Sequence, residues 1–351
     1  MTQPRKSALP SSLGFRMPAE WQPHARTWLT WPHNRETWPN TNLSNVESVY
    51  LQMIQALVKR EHVALLVNDE SGLKHIQSRL KCEKIPLNKV DIFVIPTNDS
   101  WIRDYGPNFL LDPSDNLAMN RWHFDSWGKK YEWELDCLVA GKIASDLQAL
   151  CFEPGIVLEG GAIDVNGQGL CLTTESCLLN QNRNRGLDRP TMETFLRNYL
   201  GIDEVLWLPG GMQGDDTDGH IDNLVRFVKP TTVLCSLSED PQDPNYDFLQ
   251  KNYAALQNWN RQSEKALEVI PLPMPGEIWN DDEMLPASYA NFYIFNDGVL
   301  FPTFNDPNDK KARNILQQCF PDREIVDIPS ELLVRGLGGI HCLTQQQPAG
   351  C

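Results

Sequence analysis

Nowhere in the 351 residues does an apolar run approach the ~18 residues that a bilayer-crossing helix requires. The opening segment, Met1 to Leu13 (MTQPRKSALPSSL), lacks the apolar core of a secretory signal, so a cytoplasmic location is expected. Neither a C-x-x-C pair nor an H-E-x-x-H sequence occurs, which removes the usual zinc signatures. The nine cysteines are odd in number and irregularly spaced, arguing for reduced thiols rather than a disulfide framework. Positive charge is short: 31 Lys and Arg face 46 Asp and Glu, a formal net charge of -15. That balance argues against nucleic acid and anionic membranes as partners and suits a cationic ligand. No low-complexity or linker-like stretch divides the chain, so one continuous domain over residues 1–351 is expected, with 1–14 a flexible N-terminal segment.

What is present alternates between helical and extended patterns. Ser44-Asn45-Val46-Glu47 has the form of a capping box, opening a run with Val46, Val49, Tyr50, Met53, Ile54, Leu57 and Val58 at helical spacing. Asp188 is placed to cap a second helix with Pro190 in its first turn, burying Met192, Phe195, Leu196 and Tyr199. A third is expected from about Asp243 to Arg261. Between them one arrangement recurs five times: a short apolar strand, a polar or glycine-rich loop, and a second strand. The first strands are VDIFVIP, GIVL (Gly155 to Leu158), EVLWLP, LEVIPLP and EIVDIP. The second strands are NFLL, AIDV, NLVRFV, YANFYIF and IHCLT. Asn166-Gly167 and Asp297-Gly298 between apolar runs signal hairpins. The units fit a pseudo-symmetric α/β architecture, or an ordinary mixed sheet. Asp104, Glu159, His220, Asp222 and Cys342 all fall in the loops after a first strand, and loops around a common axis would meet at one end.

These residue types fit chemistry on a guanidinium group, which is planar, cationic and presents N–H donors in a fixed fork. Carboxylates hold such a fork by paired charge-assisted bonds, a thiolate attacks the central carbon, and an acid protonates the departing ammonia. No metal and no cofactor is needed. Each residue also has a plainer reading. Cys342 in GLGGIHCLTQQ is either a nucleophile at a glycine-lined turn or a small buried hydrophobe. A nucleophilic Cys342 needs help to ionise, from His220, from a bound cation, or from both. His220 and Asp222, at i and i+2, share a face of a starting strand; they act on one ligand, satisfy each other, or form part of a metal pair. Asp104 in WIRDYGP either faces a ligand covered by Trp101 or pairs locally with Arg103, and Glu159-Gly160-Gly161 is either a poised carboxylate or a charged turn.

Taken together, WIRDYGP, EGGAIDVNGQG with LTTESCLLNQNRN, GDDTDGHIDNLVRF, YANFYIFNDGVLFPTFNDPND and GGIHCLTQQQP resemble the agmatine deiminases. MPAEWQPHARTWLTWP, Met17 to Pro32, fits as well. That family stands with the bacterial-type peptidylarginine deiminases in the guanidino-group-modifying superfamily. The resemblance implies a five-bladed pseudo-symmetric α/β propeller of pentein type. It implies hydrolysis of agmatine to N-carbamoylputrescine and ammonia through an amidino-cysteine, a step towards putrescine. Cys342 would be the nucleophile and His220 the general acid/base, with Asp104 and Asp222 clamping the guanidinium nitrogens. Glu159 would contact the guanidinium or orient His220, Trp101 would line the slot, and one of Asp215, Asp216 or Asp218 would meet the distal ammonium. A homodimer is the expected assembly.

The sequence departs from the resemblance at Gly339, where relatives commonly carry asparagine, and at Asn305, where glycine is familiar. A free-arginine substrate would need a cation for its carboxylate, with Arg103, Arg183, Arg185, Arg226 and Arg335 available. Peptidyl-arginine deimination and non-catalytic binding of polyamines or guanidines are the remaining alternatives.

Overall fold

The computed structural model describes residues 8–263 and 265–350, so the first half of the segment read as flexible lies outside the described residues. Within the rest of that segment, Ser11–Leu13 form a short 3-10 turn closed by Gly14 at φ 86°. In chain order the strands are β1 (His24–Thr30), β2 (His62–Val67), β3 (Val90–Val94), β4 (Asn108–Leu111), β5 (Leu117–Asn120) and β6 (Leu150–Phe152). There follow β7 (Ile163–Val165), β8 (Leu170–Thr174), β9 (Glu204–Leu208), β10 (Val225–Lys229), β11 (Thr232–Ser236) and β12 (Glu268–Leu272). The last are β13 (Trp279–Asn280), β14 (Glu283–Met284), β15 (Tyr293–Phe295), β16 (Gly298–Thr303), β17 (Glu324–Pro329) and β18 (Thr344–Pro348).

Apart from the small hairpin β13–β14, the described strands group into five mixed sheets with one pairing scheme. Each has an antiparallel pair followed by a parallel neighbour: β4–β5–β6, β7–β8–β9, β10–β11–β12, β15–β16–β17 and β18–β1–β2. β3 adds one more parallel strand to the last of these. That sheet joins the two ends of the chain, with His24 opposite Pro348. Parallel neighbours need a crossover, and a helix supplies it each time. The crossovers are Leu43–Leu57, Glu70–Cys82, Val139–Leu147, Arg189–Leu200, Tyr246–Gln262 and Asp309–Cys319. The result is a mixed α/β fold.

Local chemistry accounts for most boundaries. β2 reads HVALLV, β-branched and apolar, and lies between two parallel neighbours with Val63 to Val67 buried. The helix Arg189–Leu200 begins where Asp188 accepts the Thr191 N–H, and ends at Gly201 with φ 69°. Its buried residues are Met192, Leu196 and Leu200, while Phe195 and Tyr199 are only half-buried. The helix Leu43–Leu57 buries the expected stripe, but its N-cap is Asn42, whose side chain accepts from the Ser44 N–H. Ser44 therefore lies inside the helix, and Glu47 is free to meet His75 at 2.9 Å and Arg79. The third helix runs Tyr246–Gln262. Both hairpin signals hold: β7–β8 and β15–β16 are antiparallel, with Gly167 at φ 69° and Asp297 at φ 58°.

Expectations change at several points. In IHCLT, His341–Leu343 is a 3-10 turn and β18 starts only at Thr344. His220 and Asp222 lie at and within the 3-10 turn Ile221–Asn223 rather than on a strand, because the chain is still turning into the next sheet there. Gly155–Leu158 is not a regular strand; its one ladder contact is an isolated bridge from Val157 to His123. A neighbouring chain occupies only one point along it, because Leu158 leads directly into the turn at Gly160–Ala162. The strand–loop–strand units also do not lie within one sheet. β3, β9, β12 and β17 each end one sheet, and the next strand of the unit begins another. The reactive loops are thus the connections between sheets.

Leu65 is fully buried in β2, within a cluster that includes Val46, Ile54 and Leu57 from the crossover helix. Leu65→Ala is expected to destabilise the fold by about 2–5 kcal/mol through lost transfer energy and a residual cavity. Denaturant unfolding should show this as a lower midpoint, and an unchanged midpoint would contradict the packing.

Candidate active site

Five connections between sheets bring the functional side chains in. Residues 95–107 carry Asp104, 153–162 carry Glu159 and Gly161, and 209–224 carry His220 and Asp222. Residues 273–292 carry Asn291, and 330–343 carry His341 and Cys342. Asp104 sits on the short helix Ile102–Tyr105, and Cys342 on the 3-10 turn His341–Leu343 just before β18. All of these residues are buried.

Gly161 shows how closely they converge. A Cβ placed on it would lie 2.6 Å from His220 Nδ1, 2.8 Å from Asp104 Oδ1 and 3.0 Å from Asp222 Oδ2. Only hydrogen fits there, and the Gly161 N–H donates to Asp104 Oδ1 at 2.9 Å. His220 Nδ1 lies 3.7 Å from the same oxygen. Cys342 Sγ lies 3.7 Å from Asp222 Oδ2 and receives the Asn291 side-chain N–H at 3.3 Å. The distant motifs therefore meet. Gly339 has a physical reason as well: a Cβ there would come within 2.5 Å of Asn291 Oδ1. Asn305 has φ 54°, a left-handed conformation that asparagine tolerates better than most residues.

The local salt bridge between Arg103 and Asp104 does not form. Arg103 turns away to Gln346 at 2.7 Å and to the His341 carbonyl at 3.3 Å, with Glu20 3.6 Å away. Asp104 Oδ2 instead accepts the Trp127 indole N–H at 3.0 Å. Trp127 belongs to a run from Ser126 to Lys129 in which four successive residues have φ of 56°, 55°, 90° and 67°. Three of the four are not glycine, so the run is strained. Asp125 holds it by accepting the Gly128 N–H at 3.1 Å, and Lys130 ties it to Asp216 and Asp218 at 3.2 Å each. Trp101 packs under Gly338, where a Cβ would meet its ring at 2.4 Å, and lies 5.7 Å from Trp38 between ring centroids.

The acidic run separates by partner. Asp216 accepts the Tyr131 hydroxyl and pairs with Lys130. Asp218 pairs with Arg183 and Lys130. Asp215 has neutral partners, the Thr217 N–H at 2.9 Å and hydroxyl at 2.5 Å, and its Oδ2 is unpartnered among the described residues. Burial is the main cause that pushes its carboxyl up to about 6.

Charge in the pocket is badly balanced. Burial, then Asp222 and Glu159, raise the Asp104 carboxyl well above the ordinary carboxylate range. Burial also raises Glu159, although Arg183 Nε, 2.8 Å away, opposes it. Asp222 goes the other way: burial opposes ionisation, but the hydrogen bond from His341 and its charge hold the carboxyl low. Burial lowers His220 to about 3, so its ring is neutral. Burial, Asp222 and Asp104 push the Cys342 thiol well above its ordinary value. Thiol and imidazole are therefore both uncharged in the unliganded site. Glu159 Oε2, both His220 ring nitrogens and Asp222 Oδ1 are buried without hydrogen-bond partners among the described residues.

Glu159, Cys177 and His220 each bring a donor atom within 4.8 Å of the other two, as a metal site would require. The carboxylate of that group is already bound to the Arg183 guanidinium, which would oppose a dication. Glu20, Trp127, Asn291 and His341 were not singled out by the sequence. His341 stood next to Cys342, and Glu20 and Asn291 stood inside motifs that carry the resemblance, MPAEWQP and YANFYIF; Trp127 had no such signal.

A family model described as Porphyromonas-type peptidyl-arginine deiminase matches residues 16–348. The agmatine deiminase of Pseudomonas syringae pv. syringae is 35% identical over 367 aligned positions, covering 98% of each chain. That of Ectopseudomonas mendocina is 37% identical over 364, covering 97% of each. The solved structure of the Enterococcus faecalis agmatine deiminase superimposes with a TM-score of 0.89 at 30% identity, covering 99% of both chains.

The neutral thiol makes a testable demand. Mass-spectrometric mapping of iodoacetamide labelling near neutral pH should modify the exposed Cys82 well before Cys342. The Cys342 rate should keep climbing with pH past the range in which an ordinary thiol is already ionised. A fast reaction at Cys342 that is flat across neutral pH would reveal a preformed thiolate instead.

Proposed function

The chain belongs to the Porphyromonas-type peptidyl-arginine deiminase family, and from that premise we propose that it is an agmatine deiminase, hydrolysing agmatine to N-carbamoylputrescine and ammonia. The observation that carries this reading is the uncompensated acidic pocket: Asp104 has only neutral donors, while Asp222 Oδ1 and Glu159 Oε2 lie unpartnered beside a thiol and an imidazole. A guanidinium supplies the missing positive charge and the donors in one planar group.

In this reading Asp104 and Asp222 clamp the guanidinium nitrogens. The same cation offsets the two carboxylates that oppose ionisation of Cys342, so in the complex the thiol passes its proton to His220 and becomes the thiolate. Its sulfur bonds to the guanidinium carbon. The bond to one terminal nitrogen then breaks, and His220 delivers the proton that lets it leave as ammonia. His220 next takes a proton from water, which adds to the amidino carbon and expels the thiolate, leaving the urea of N-carbamoylputrescine. Glu159 supports His220, held in place by Arg183. Trp101 and Trp127 wall the slot. Asp215 is the favoured partner for the distal ammonium, because Asp216 and Asp218 already have cations of their own. No metal or cofactor takes part.

The substrate alternatives are less well supported. Free arginine needs a cation for its carboxylate, but Arg103, Arg183 and Arg226 are buried on internal carboxylates. The five sheets with one pairing scheme support a five-bladed pseudo-symmetric propeller of pentein type, formed by the chain as a single catalytic domain. Among the described residues no helix is long and apolar enough to cross a membrane. The reading places the enzyme in the cytoplasm, on the route to putrescine, as a homodimer; light scattering that gave a monomer would remove the last point.

Cys342→Ala should abolish ammonia release while agmatine binding persists, and protein quenched during turnover should carry an amidino adduct on Cys342. His220→Asn should lower kcat by about 10²–10⁴-fold. Agmatine should be hydrolysed far faster than arginine or a blocked arginine peptide; preference for the peptide, or turnover by Cys342→Ala, would refute the assignment.

A further inference from the structure

Asp222 has a partner on its far side that the reaction above does not use. His341 Nδ1 lies 2.8 Å from Asp222 Oδ2, and its Nε2 lies 2.8 Å from Glu20 Oε2. All three residues are buried. An ionised carboxylate oxygen only accepts, so a ring bonded to one at each nitrogen serves both as donor when it carries two protons. Glu20 is itself firmly held. Its Oε1 accepts the Ile294 N–H at 2.8 Å and lies 2.9 Å from Arg226, and Arg103 lies 3.6 Å from Oε2. Asn291 fixes the His341 backbone, its Oδ1 accepting the N–H at 2.8 Å. The imidazole is therefore clamped at both nitrogens and its backbone at a third point, one residue before the proposed nucleophile.

We infer that His341 and Glu20 form a positioning relay for Asp222: the bridging ring pins Oδ2 and keeps the carboxylate charged, so that Oδ1 is presented to the guanidinium. The relay rests on the deiminase reading for the identity of the ligand. Asp104 provides an internal contrast. Both carboxylates are buried in one pocket, but Asp104 receives only the neutral Gly161 N–H and Trp127 indole. Burial and its acidic neighbours accordingly raise Asp104, while His341 holds Asp222 low against the same burial. The two arms of the clamp differ: one is charged before the ligand arrives, and the other becomes so on binding. His341 and Glu20 touch neither the thiol nor the unpartnered Oδ1, so their influence passes through Asp222.

The test measures agmatine binding by calorimetry in the Cys342→Ala background, where turnover is absent. Adding His341→Gln should weaken binding by about tenfold or more, the scale on which loss of a partner that orients a ligating group is felt. The sign is informative. Removing a cation from the wall should by charge counting alone tighten a cationic ligand, so weakening marks the loss of Asp222 instead. Adding Asp222→Asn should also weaken binding, and His341→Gln on top of it should add almost nothing, because the two act as one unit. Glu20→Gln, which keeps the side-chain size, carries the same expectation should His341→Gln fail to fold. Binding unchanged by His341→Gln and Glu20→Gln, or weakened equally with and without Asp222, overturns the relay and leaves the deiminase reading standing. No agmatine binding by Cys342→Ala itself overturns both.

Discussion

Buried negative charge without enough positive charge around it is the constraint on which this molecule turns. A carboxylate removed from water must be paired, be hydrogen-bonded, or take up a proton. The chain uses all three solutions within one small volume. Glu20 and Asp164 are paired with Arg226, and Glu159 with Arg183. Asp222 is held by His341. Asp104 has only neutral donors and is pushed towards its protonated form. The arginines of this region, Arg103, Arg183 and Arg226, are engaged with Glu20, Glu159 and Asp164. The pocket between Asp104 and Asp222 lacks a fixed cation among the described residues, and that deficit has the charge of a guanidinium.

In the proposed reaction, the same deficit keeps thiol and imidazole uncharged before the substrate binds. A thiol facing two carboxylates resists ionisation, and an imidazole sealed from water resists protonation. A preformed ion pair between Cys342 and His220 would require both to act against their surroundings. On the proposed mechanism, a cation bound between Asp104 and Asp222 removes the obstacle for the thiol and leaves His220 to exchange protons with the leaving group and with water.

The fold serves this arrangement through its connections. Each sheet ends in a parallel strand, and the link to the next sheet begins there. Five such links therefore bring Asp104, Glu159, His220 with Asp222, Asn291, and His341 with Cys342 to one place. Close approach is bought with glycine where a Cβ would collide, at Gly161 against His220 and at Gly339 against Asn291. The strained turn at Ser126–Lys129 serves similarly, since it delivers the Trp127 indole to Asp104. Strain of this kind persists only where surrounding bonds over-determine it, and here Asp125 and Lys130 provide them.

Much of this was legible along the chain, because local rules fix local structure. Asp188 before Pro190, the Asn166-Gly167 turn, and the stripe from Val46 to Leu57 gave helices and hairpins where they occur. The motif residues Asp104, His220, Asp222 and Cys342 pointed to one site through their chemical types and their family resemblance, and they do converge. Ser44 misled because Asn42, two residues earlier, is an equally good cap, and propensity alone does not choose between them. Which strand joins which sheet was beyond the sequence, since pairing is settled by burial across the whole molecule. Arg103 turning to Glu20 rather than to its neighbour Asp104, Asp215 being the acidic residue left without a cation, and His341 bridging Glu20 and Asp222 were decided only in three dimensions. Each depends on which buried charges face one another, and residues 20, 222 and 341 share nothing but the space into which folding brings them.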